Sequence, residues 1–140
     1  MASLAVVVTS CAVSPSVDDL RSYGVTDLHP AGTIRYFQGS APGNNGLEPT
    51  EADLDAKFAT RKEITAVVSY YDAQLERRGW TRNDKAATGL SSWTDVWAWT
   101  KPHLIVRLGT LTRGNLVLVH KLYPRTSATT LAYELDITAR

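Results

Sequence analysis

Few residues in this 140-residue chain could do chemistry, and their spacing gives little support for catalysis. The three histidines are His29, His103 and His120. None belongs to an H-E-x-x-H or other close-spaced pair, the arrangement that sets two imidazoles against one divalent metal. His29 precedes Pro30 in a loop, His103 begins a strand beside a turn, and His120 ends an apolar run next to Lys121. Carboxylates cluster at Asp18-Asp19 and at Glu51, Asp53 and Asp55. The second set has the alternate spacing of a calcium loop, but no matching glycine and terminal glutamate follow. Solvated charge or a helix start accounts for it. The glycines between Gly39 and Gly46 lack the Gly-Lys-Ser/Thr ending that cradles phosphate. No G-x-S-x-G elbow presents a serine nucleophile. No catalytic, metal-binding or cofactor-binding residue is assigned, and no cofactor is expected.

Composition narrows the partners. Lys plus Arg number 15 against 14 Asp plus Glu, a formal net charge of +1, which gives no reason to expect nucleic acid or an anionic membrane surface. An apolar fraction of 44% excludes wholesale disorder. One cysteine cannot build a disulfide framework or a thiolate zinc site. No stretch approaches the roughly 20 apolar residues that span a bilayer.

That cysteine, Cys11, ends the run Leu4-Ala5-Val6-Val7-Val8-Thr9-Ser10-Cys11. Small side chains at Thr9 and Ser10 let extended backbone enter a peptidase site, and Val8 supplies an aliphatic position three residues before the thiol. The run resembles the bacterial lipobox, which implies cleavage before Cys11, acylation of its thiol and a membrane lipid as partner. Met1-Ala2-Ser3 carries no Lys or Arg, and the apolar core is about seven residues, the short limit for such a segment. One explanation is a translation start upstream of Met1. The structural alternative is an apolar N-terminal strand with an unreactive buried thiol. Three segments follow from the lipobox reading: a signal segment at 1–10, a polar tether at 11–30 and a single domain at 31–140.

Positioning elements come next. Gly32 to Gln38 has the β-branched and aromatic content of a strand and runs into the loop from Gly39 to Gly46. Pro49-Thr50 with Glu51 and Asp53 fits the start of a short helical turn, though its charges continue without a clear apolar face. Thr60-Arg61-Lys62-Glu63 forms a capping-box sequence, after which Ile64, Val67, Val68, Tyr71 and Leu75 recur at helical spacing. Arg77 and Arg78 suit the last turn, and Gly79 can take the left-handed stop, predicting a helix over about 60–78. Ser92 to Thr100 alternates, with Trp93, Asp95, Trp97 and Trp99 on one face, and Trp97 and Trp99 are assigned to the core. His103 to Leu111 and 128–138 alternate likewise, whereas Leu116-Val117-Leu118-Val119 fits a strand or a buried helical turn equally.

Tyr70-Tyr71, Leu75, Gly79-Trp80 and Trp99-x-Lys101 resemble a module of small bacterial lipoproteins of the actinobacterial type. In it, a helix ends in Gly-Trp and a Trp-bearing hairpin follows. The resemblance spans roughly residues 60–111 and implies no active site. The expected fold is α+β: one long helix on a mostly antiparallel sheet of four or five strands, in the order β-α-β-β-(β)-β.

The expected function is a non-enzymatic binding or structural protein of the cell envelope. It would sit on the extracytoplasmic face of the cell membrane, anchored by lipid on Cys11, with a protein or small-ligand partner. The alternative is a soluble interaction protein, such as an inhibitor or immunity-type partner. A third, less supported, is an enzyme whose site joins His103, His120 and carboxylates.

Overall fold

Period-two alternation builds the main body of the protein, a computed structural model of which describes residues 14–43 and 51–140. The elements in chain order are α1 (Val17–Ser22), β1 (Ile34–Ala41), β2 (Asp53–Thr60), α2 (Ile64–Arg77), β3 (Thr81–Arg82), β4 (Trp93–Lys101), β5 (Leu104–Leu111), α3 (Arg113–Leu122) and β6 (Leu131–Ala139). All neighbouring strands run antiparallel, in the sheet order β1-β2-β6-β5-β4-β3.

One sheet face carries the core. Leu54, Ala56 and Phe58 of β2, Val106 and Leu108 of β5, Tyr133, Leu135 and Ile137 of β6, and Trp99 of β4 are each at most 1% exposed. Against them α2 lays its buried stripe of Val67, Val68, Tyr71 and Leu75. Side chains of this kind contribute about 1.5–3 kcal/mol each on full burial. Tyr71 brings a hydroxyl into this apolar layer and satisfies it twice, on the Leu28 carbonyl at 2.7 Å and the Tyr133 hydroxyl at 2.9 Å. The helix stops where Gly79 takes φ +83°, so that the Trp80 amide reaches the Leu75 carbonyl at 3.0 Å.

The expectation of one long helix on four or five strands is overturned. The sheet has six strands and is accompanied by three short helices, and two strands precede α2 instead of one. The main cause is β2, a strand that is absent from the expected order and begins at Asp53, where a helical turn is expected to start. Its charges Asp53, Asp55 and Lys57 alternate with Leu54, Ala56 and Phe58, so one face buries its apolar residues while the other carries the charge. The helix is also shorter at its start than 60–78. Thr60 ends β2, and its hydroxyl accepts from the Thr33 hydroxyl at 3.0 Å and the Lys62 amide at 3.1 Å, leaving Glu63 as the N-cap.

Three further expectations change. Residues 17–22, placed in the polar tether, form α1 behind a Ser16–Asp19 capping box and bury Leu20 completely. A bulge between Trp93 and Val96 puts Trp93 on the face opposite Trp99, because an extra residue reverses the side-chain alternation. The run 116–119 belongs to α3, which begins behind the Thr112 N-cap. At the β4–β5 turn His103 follows Pro102 and takes φ +65°, as the third position of a type II turn requires.

Candidate functional site

The second face of the sheet is not the simple wet face that its polar residues suggest. Cross-strand register aligns Lys57 with Glu134, Asp55 with Asp136, and Arg107 with Asp136. Glu134 is 7% exposed and Asp136 only 3%. Arg107 grips Asp136 with two parallel bonds, Nε to Oδ1 at 3.1 Å and Nη2 to Oδ2 at 2.7 Å, and donates a third to the Thr88 carbonyl at 2.9 Å. Its guanidinium lies over the Trp93 ring, 5.5 Å from the centroid. Trp93 in turn donates from Nε1 to Glu134 Oε2 at 3.1 Å.

The covering is partial. α3 crosses the end of this face and buries only Val119 among its residues, leaving Val117, Leu118 and Leu122 more than half exposed. Between α3 and the sheet runs a groove of about 310 Å³. Leu111, Leu118, Val119, Leu122 and Phe37 give it apolar walls, while Tyr36, Tyr123, Lys57, Ser92, Asn115 and Glu134 supply its polar groups. Its size falls at the low end of small-molecule pockets. The Tyr36 ring rests on Tyr123 at 5.0 Å between centroids, and its hydroxyl is buried with no hydrogen-bond partner. Lys57 Nζ sits 4.9 Å from the Phe37 ring centroid.

Electrostatics at this face run against ionisation. Burial, then the neighbouring charges of Asp136 and Asp55, raise the Asp53 carboxyl to about 6. Burial likewise raises Glu134, opposed by its bond from Trp93 and by Lys57 and reinforced by Asp55. Asp136 is raised too, desolvation outweighing the Arg107 contacts. Four carboxylates therefore face two cations, Lys57 and Arg107, and one oxygen of Asp53 is buried without a partner.

A stability prediction arises here. A carboxyl whose folded pKa exceeds its unfolded one binds its proton more tightly in the fold. Its contribution is present below 3.8 and is lost as pH rises to about 6. Asp53→Asn removes that loss, so the variant should be more stable than the parent at pH 7.5 by about 1 kcal/mol, a figure lowered because the site is partly open to screening water. The difference should vanish near pH 4, as read from urea unfolding at both values.

The groups expected from sequence are placed elsewhere. His29 packs on Phe58, and His103 occupies the β4–β5 turn. His120 contacts the Thr129 hydroxyl at 3.2 Å, at the opposite end of β5 and β6 from His103, so the two do not meet. Asp18 pairs with Arg21 and Asp19 caps α1, while Glu51 is exposed. Of that carboxylate set, Asp53 and Asp55 do reach the second face. Trp99 is core and Trp97 packs against it. Cys11, with the whole 1–10 segment, lies outside the described residues.

Two other clefts are less equipped. One of about 630 Å³ on the far flank of α3 is lined by Leu116, Val117 and Leu131, with His120 already bonded to Thr129. Another of about 450 Å³ holds Asp72 and Arg82, which are engaged with each other at 2.9 Å. Among the described residues no group of three His, Cys, Asp or Glu side chains is arranged to hold a metal ion, and no helix is long and apolar enough to cross a membrane. Comparison with protein-family models, curated proteins and solved structures finds no match to the chain.

Proposed function

We propose that this chain is a non-enzymatic binding protein of the cell envelope, exported and held at the extracytoplasmic membrane face by lipid on Cys11, with the groove beneath α3 as its ligand site. The observation that carries the binding role is the groove itself: apolar walls that end at buried Glu134 and at a Tyr36 hydroxyl without a partner. Buried polar groups are normally bonded, and an orphan at the end of an apolar pocket suits a ligand's polar head. The anchor rests on the run from Leu4 to Cys11. A single acyl chain binds a membrane only marginally, so stable attachment calls for more than one chain on Cys11.

Labelling with an alkyne fatty acid in a bacterial host, behind a functional upstream start, tests the anchor. The parent should take label and move to the membrane fraction, and Cys11→Ser should lose both. Equal labelling of the two, or none in either, overturns it.

The exposed apolar side chains of α3, Val117, Leu118 and Leu122, favour a second reading as a soluble interaction protein. That reading requires an unlabelled chain whose residues before Cys11 remain intact by mass spectrometry.

A further inference from the structure

The groove's polar end carries more information than its volume. Its polar end sets the Glu134 carboxyl, flanked by Asp55, beside a Tyr36 hydroxyl that has no hydrogen-bond partner, while Ser92 and Asn115 line it as neutral groups and Lys57 as a cation. Two positive charges stand nearby. Arg107 is held by Asp136, the Thr88 carbonyl and the Trp93 ring, and Lys57 lies against Phe37. With Asp53 and Asp136 added, the face holds four carboxyl groups against two cations, an excess of acidic groups.

We propose that the groove takes a primary alkylammonium, its aliphatic chain lying between Leu118, Leu122, Leu111 and Phe37 and its ammonium donating to Glu134 and to the Tyr36 oxygen. This rests on the reading of the groove as a ligand site. An ammonium offers three donors and a positive charge, which matches the Glu134 carboxyl and the unpartnered Tyr36 oxygen. A carboxylate head would meet the same excess negative charge and be repelled. A neutral alcohol would fill the walls but leave the charge uncompensated. A quaternary ammonium carries the charge but has no N–H to give the Tyr36 oxygen.

The test is calorimetric titration of the full chain at pH 7.5 with octylammonium, 1-octanol, octanoate and octyltrimethylammonium. Octylammonium should bind at least about tenfold more tightly than octanol, and octanoate more weakly than octanol. Glu134→Gln should abolish the preference for the ammonium over the alcohol while leaving octanol binding in place, which also shows that the variant is folded. Lys57→Met, which removes a competing positive charge, should strengthen octylammonium binding, and Tyr36→Phe should bring octylammonium down to the level of octyltrimethylammonium. Equal affinity for all four probes, or a preference for octanoate, overturns the ammonium assignment and leaves the groove as a ligand site. No binding of any probe by the folded parent overturns both.

Discussion

Arg107→Ala is expected to destabilise the domain by about 3–5 kcal/mol, the usual result of stripping a buried charge of its partner. Asp136 is 3% exposed, and the guanidinium supplies both of its oxygens with donors. Without Arg107, the carboxylate has neither water nor a counter-charge within reach, and it lies directly across from Asp55. The Thr88 carbonyl and the Trp93 ring lose a contact in the same step. The sign of the pH dependence follows. Burial already raises Asp136 against the pull of Arg107, so removing Arg107 raises it further. A folded carboxyl raised in this way is least costly when protonated, so the deficit of the variant should shrink on acidification and grow toward neutrality. Urea unfolding at pH 5 and pH 7.5 reads both numbers. Arg107→Ala combined with Asp136→Ala should recover much of the loss, since a pair removed together leaves no orphan charge. A single-variant loss below about 1 kcal/mol would mean that the pair is effectively solvated.

Gly109→Ala is the second large effect, with an expected loss of about 3 kcal/mol from overpacking and a broken charge-assisted bond together. A Cβ on Gly109 would fall within the indole of Trp93, at its Cγ, Cδ2 and Cε3 atoms. The glycine is thus required by a neighbour's bulk and not by backbone conformation. It leaves a slot that the Trp93 ring fills, the arrangement by which an aromatic residue shields a strand glycine. Displacing the ring breaks its bond to Glu134, a residue that lines the groove. Trp93→Leu in the same chain should restore part of the stability of Gly109→Ala by vacating the slot, though not the Glu134 contact. A non-additive pair in thermal unfolding is therefore expected. Strict additivity would show that the two side chains do not share the space.

Legibility from sequence followed the range of the forces involved. Local signals were readable. The stripe from Ile64 to Leu75 and the Gly79 stop mark α2, and strict alternation marks β5 and β6, because periodicity and backbone freedom act over a few residues. Two signals of the same kind compete with other readings of the same residues. The alternation Asp53, Leu54, Asp55, Ala56, Lys57, Phe58 is a strand pattern whose charges drew the eye to a helix start, and Ser16 with Asp19 is a capping box within a segment read as tether. Strict alternation sets Trp93 on the face of Trp99, whereas a bulge adds one residue at a place that alternation alone cannot mark.

The candidate site was mostly beyond reach. Glu134 and Asp136 looked like the solvent side of a strand, and only the register with β5 and β2 sets Arg107, Asp55 and Lys57 beside them. Asp53 and Asp55 had been noticed as a carboxylate set, but their partners stand some 80 residues further along the chain.

The position of β6 has a consequence for how the chain is made. The strand synthesised after all the others occupies the middle of the sheet, between β2 and β5. Until residues 131–139 have left the ribosome, β1-β2 and β3-β4-β5 are two fragments with no common edge, and Phe58, Val106 and Leu108 lack the Tyr133, Leu135 and Ile137 layer that joins them. Nascent chains therefore carry open strand edges until β6 has emerged, the condition in which holding chaperones engage a polypeptide. Closure is a late, long-range event, and folding should be slow for a domain of this size.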